Sequence, residues 1–174
     1  MGYHASKTEL SYEFARAIPT DNKKYLEYQE FRKKFGEDGN LLVIGIQTAD
    51  LFKEKNFNEY TSLLRQLKKV QYVEDIICVP SAVNLVKNPE TEKLSAQPIF
   101  KDTVLTQAEI DSAKNTFLSL PFYRGLLYNP QSNAWLMGVR INKEVMSTKR
   151  RNGVVEDVVA LATEFGKKVN LEMY

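Results

Sequence analysis

His4 and Cys78 are the chain's only imidazole and thiol, so every catalytic or metal-binding scheme that needs such groups must use these two. A Ser–His–Asp or Cys–His site requires a base buried and oriented by a third group. His4, so near the start of the sequence, reads as a surface residue or membrane-interface neighbour. One His and one Cys cannot close a tetrahedral zinc site. A lone cysteine excludes an intrachain disulfide and any CxxC motif, and Cys78 sits in the apolar run Ile76-Ile77-Cys78-Val79, where a thiol behaves as a small hydrophobe. Neither GxGxxG nor the P-loop pattern occurs, so nucleotide phosphates have no cradle. Gly36-Glu37-Asp38-Gly39 has too few oxygens for an EF-hand and reads as a turn. The sequence predicts no enzyme activity and no cofactor.

The carboxylate pairs Glu74-Asp75 and Glu156-Asp157 are adjacent in sequence. Adjacent side chains point to opposite faces of a strand and lie about 100° apart on a helix, so neither pair is set as an acid/base couple. Twenty-four basic residues offset 22 acidic ones, and the one dense basic run is Lys149-Arg150-Arg151. That balance gives no cationic stripe for phosphates and excludes a nucleic-acid partner. The compositional lean is aromatic, with nine Tyr, nine Phe and one Trp. Phe117, Phe122, Tyr123 and Tyr128 flank Pro121 and Gly125. Two readings stay open for these four: they line a greasy substrate path or an interface, or they fill the core beneath an inserted helix.

The elements that must position these residues follow from periodicity. A helix is predicted over residues 20–35, with N-cap oxygens at Thr20 to Asn22 and an aromatic stripe at Tyr25, Tyr28, Phe31 and Phe35. Residues 41–48 form an apolar, β-branched run expected to be a strand covered on both faces. A helix fits residues 56–70, and a strand fits 73–79 up to Pro80. Residues 84–105, with Pro89 and Pro98, read as a long connection that turns at Asn88 to Thr91. Thr106-Gln107-Ala108-Glu109 matches a capping box and opens a helix through about residue 120. A third strand is expected over 133–141, a last helix over about 147–165 ending at Gly166, and a final strand with Val169, Leu171 and Met173 inward.

Two strand–helix–strand units, about 41–83 and 133–174, with a helical insertion at about 106–128, predict an α/β (α+β) fold. Its form is a ferredoxin-like βαβ–βαβ sandwich in a single domain spanning 1–174. The abrupt first residues and the strand-like last ones give the expectation of a domain within a longer protein.

Three segments resemble a known family in order. They are Tyr12-Glu13-Phe14-Ala15-Arg16-Ala17-Ile18-Pro19-Thr20-Asp21-Asn22, then Tyr28 to Asn40 leading into the strand at Leu41 to Ile46, and last Val70 to Leu85 with Ser81-Ala82-Val83-Asn84-Leu85. They resemble the resistance–nodulation–division exporter superfamily, in its MmpL-like, hydrophobe/amphiphile branch, where a comparable series follows the first transmembrane helix. The resemblance spans most of residues 10–174 and is strongest over 12–46.

It implies the extracytoplasmic porter domain of a proton-driven exporter in a bacterial cytoplasmic membrane, on the periplasmic side. Its partners would be the transmembrane and second loop domains of the same parent, further copies of the parent, and hydrophobic or lipid-like small molecules. The family's proton-relay carboxylates lie in membrane helices, which agrees with the missing catalytic constellation. A free-standing ferredoxin-like small-ligand-binding or regulatory module of the ACT type is the alternative.

Overall fold

A computed structural model describes residues 40–87, 92–171 and 174. The expected helix at 20–35, His4, the Gly36–Gly39 turn and the Asn88–Thr91 turn lie outside the described residues. Strand β1 is Leu41–Gln47, helix α1 Glu54–Leu67 and strand β2 Val73–Ile77. A 3-10 turn at Val79–Ser81 leads into a hairpin of β3, Val83–Lys87, and β4, Leu94–Pro98. Helix α2 is Gln107–Ser119, followed by a 3-10 turn at Pro121–Tyr123 and the two-residue strand β5, Tyr128–Asn129. Strand β6 is Ala134–Ile141, then come the short helix α3, Lys143–Met146, and α4, Arg150–Val169. The chain is thus of mixed α/β class. Among the described residues no helix is long and apolar enough to cross a membrane.

Strand β6 is the centre of the main sheet. It pairs antiparallel with β1 along its whole length and, on its other side, with β2 and β5. The register puts Ile44 opposite Met137 and Ile46 opposite Trp135. The two-residue pleat therefore sends these apolar pairs to one face, where they meet the helices. Phe57, Tyr60, Leu63, Leu64 and Leu67 of α1 and Val154, Val158, Ala162 and Phe165 of α4 are buried at helical spacing. Most of these residues join one contiguous core with residues of α2. Beyond β1, Tyr174 exchanges both backbone hydrogen bonds with Gly45, at 2.7 and 3.0 Å.

Several expectations are corrected. Strand β1 is covered on one face only: Leu41 is 53% and Val43 55% exposed. An unbroken apolar run does not encode which face finds a partner. The stretch 84–105 is no structureless connection, since residues 84–87 and 94–98 pair in the β3–β4 hairpin. Its strand signal was weak because β4 is exposed along its whole length, with no buried face to impose alternation. Gly166 does not stop the last helix. It is buried inside α4, which runs on to Val169 and closes at Asn170 in the left-handed conformation, with φ 54°. Val169 accordingly belongs to the helix rather than to a final strand.

Candidate functional site

The four aromatics singled out in the sequence do not share one environment. Phe117, on the buried face of α2, stacks on Tyr123 with ring centroids 5.0 Å apart and lies 5.5 Å from Tyr128. Tyr128 stacks in turn on Trp135, whose edge meets Phe52 at 5.3 Å. These rings are buried, and offset or tilted arrangements of this kind add to the area they remove from water. Phe122 is the exception. It is half exposed, with its ring 4.1 Å from that of Tyr123.

Tyr123 has a further task. Its hydroxyl accepts from the N–H of Val83 at 2.7 Å and donates to the carbonyl of Val83 at 2.9 Å. One phenol thus satisfies both backbone groups of the first residue of β3 and pins the base of the hairpin. Beside that base lies a cleft of about 520 Å³. Leu64, Pro80 and Phe100 are its buried apolar lining, Val83 and Pro98 its hairpin side, and Lys68 and Lys101 its cations. Lys101 pairs with Glu109 at 3.2 Å, and Asp102, at the same rim, pairs with Arg65 at 2.9 Å. Lys68, at the C-terminus of α1, has no carboxylate partner among the described residues. Sequence reasoning missed this cleft because the Phe100-Lys101 pair falls in the stretch read as a connection.

Cys78 is fully buried, as its apolar run predicts. Burial pushes its thiol up from the usual range, outweighing the hydrogen bonds with Ser81 and the charge of Lys68. A protonated, enclosed thiol is a poor nucleophile. Neighbouring Tyr60 is held well above the ordinary phenol range, first by burial and then by Cys78. Its hydroxyl is buried without a hydrogen-bond partner among the described residues.

The carboxylates Glu74 and Asp75 do converge, contrary to the expectation for adjacent strand residues. A register shift between Val73 and Asp75 lets both approach Arg140, at 3.8 and 3.5 Å. Both are exposed and share the one guanidinium, so the cluster is an ion-pair network at the sheet surface. Glu109 is held below the usual carboxylate range by the N–H and hydroxyl of Thr106, with Lys101 adding to the effect. That is the capping box at work. Among the described residues no group of His, Cys, Asp and Glu side chains could hold a metal ion. Compared with protein-family models, with curated proteins and with solved structures, the chain matches none.

Proposed function

We propose that this chain is the extracytoplasmic porter-type domain of a resistance–nodulation–division exporter, of the MmpL-like, hydrophobe/amphiphile branch. The observation that carries the reading is the ordered resemblance of residues 12–22, 28–46 and 70–85 to that family. The strand arrangement supports it: Tyr174, β1, β6 and β2 lie in that order, with β6 antiparallel to both its neighbours. A ferredoxin-like βαβ–βαβ sandwich has its strands in such an order, and on this reading α1 and α4 are its crossover helices, with α2 and the β3–β4 hairpin as the insertion between the units.

On this reading the domain sits on the periplasmic side of a bacterial cytoplasmic membrane. It works with the transmembrane and second loop domains of its parent to pass hydrophobic, amphiphilic or lipid-like molecules. Its part is recognition and guidance, while proton coupling resides in the membrane helices. Phe122, the exposed member of the aromatic group, is the one placed to meet a substrate or a neighbouring domain.

Sidedness tests the proposal. In the full-length protein, Glu156→Cys places a thiol on the exposed side of α4, while buried Cys78 stays silent to a membrane-impermeant maleimide. Labelling in spheroplasts with an intact cytoplasmic membrane is the expected result. Labelling only after lysis would overturn the extracytoplasmic assignment.

A further inference from the structure

The cleft beside Tyr123 does not end at the hairpin base. Residues directly opposite each other in an antiparallel ladder share a face. The pairs Val83–Pro98, Leu85–Ala96 and Lys87–Leu94 therefore share one face, apolar except for Lys87 at its outer end, that runs outward from the cleft wall. Leu85 is 54% and Leu94 65% exposed, so this track is uncovered. The other face carries Asn84, Ser95 and Gln97 around Val86 and is the more polar of the two. From Val83 to Lys87 the track is about 14 Å long at the rise of a β-strand, comparable to an extended dodecyl chain.

Charge sorts the candidate occupants. At the cleft end, Arg65 is matched by Asp102 and Lys101 by Glu109, and at the hairpin end Lys87 is matched by Glu92 at 3.2 Å. Lys68 is the lining cation left without a carboxylate among the described residues. An apolar track that ends beside an ammonium with no carboxylate partner among the described residues suits a tail with an anionic head. It disfavours a cationic head, which would meet Lys68 and Lys101 together.

We propose that the cleft and the adjoining hairpin face form a binding site for a single-chain anionic amphiphile, its head at Lys68 and its tail along Phe100, Pro98, Val83 and Leu85. This deepens the exporter reading by naming a substrate charge and a place, and in that sense rests on it.

The test uses dodecanoate and dodecyltrimethylammonium, both below micelle formation, titrated into the 174-residue chain by calorimetry. Dodecanoate is expected to bind saturably at one per chain, and the trimethylammonium at least about tenfold more weakly. Lys68→Gln should weaken dodecanoate about fivefold, the scale of one partly exposed charge pair. Leu85→Ser, at an exposed position, should weaken it by a similar factor without lowering the melting temperature. A diazirine-bearing dodecanoate should crosslink to the hairpin and the cleft.

Equal affinity for both head groups, unchanged affinity in Lys68→Gln and Leu85→Ser, or crosslinks confined to another surface would each overturn the site. So would crosslinks from Leu94 in the full-length protein that reach only another polypeptide. Sidedness labelling is independent of all these results, so the site and the exporter reading can fail separately.

Discussion

Tyr60 carries a hydroxyl that is buried without a partner among the described residues, its ring 5.8 Å from that of Phe165 on α4 and its hydroxyl near Cys78. An unpaired buried hydroxyl costs about 1–3 kcal/mol. Tyr60→Phe should therefore leave stability unchanged or raise it by about 1 kcal/mol, measured by urea unfolding; a loss above that amount would reveal a hidden partner. The same pair sets an alkaline limit. Burial raises both ionisations above their ordinary values of 9.0 for the thiol and 10.0 for the phenol. In the unfolded chain the thiol and phenol ionise first, so that state binds fewer protons as pH rises through this window. Stability should thus be fully present below about pH 9 and fall above it. The alkaline slope should be shallower in Tyr60→Phe, and an unchanged slope would assign the alkaline loss to other groups.

Helix α2 is attached to the rest of the fold by reciprocal polar contacts between elements. The first residues of α1 and α2 cap each other: Glu54 N–H donates to Gln107 Oε1 and Gln107 N–H to Glu54 Oε2, each at 2.8 Å. Asn58 on α1 adds a two-way bond to the backbone of Leu105, at 2.8 and 2.9 Å. Asn58→Ala leaves both backbone groups of Leu105 unpaired in a half-buried place, and should cost about 2 kcal/mol by chemical denaturation. The hairpin hangs on a similar device. Tyr123→Phe removes the hydroxyl that satisfies Val83, so amide exchange in β3 should rise about tenfold while the global melting temperature moves little. Equal protection in wild type and variant would show that the ladder to β4 suffices.

At the scale of the molecule, the sheet, α1, α2 and α4 share one contiguous apolar core. Trp135 lies in it, stacked on Tyr128 and donating its indole N–H to the carbonyl of Thr48 at 2.8 Å. Unfolding followed by the fluorescence of this sole tryptophan should coincide with far-ultraviolet circular dichroism, as expected for one cooperative unit. Separated midpoints would show that α2 and the β3–β4 hairpin melt apart from the main sheet with α1 and α4. Residue order alone determined the pieces of this unit. Phe57 to Leu67 and Val154 to Phe165 repeat at helical spacing, Trp135 to Ile141 alternate, and Thr106 with Glu109 announces a helix start, because these patterns are local and each is fixed by the geometry of a single element. Other features depend on contacts between distant segments. Tertiary structure alone left one face of β1 open, bulged β2 so that Glu74 and Asp75 meet Arg140, and paired residues 83–87 with 94–98 in a hairpin with little burial to signal it. It also divided the four aromatics, sinking Phe117, Tyr123 and Tyr128 into the core and leaving Phe122 at the surface. Lys68 and Phe100 are 32 positions apart and become neighbours of one cleft only when α1 packs beside the hairpin base, since a site assembled from separate elements has no spacing of its own in the sequence.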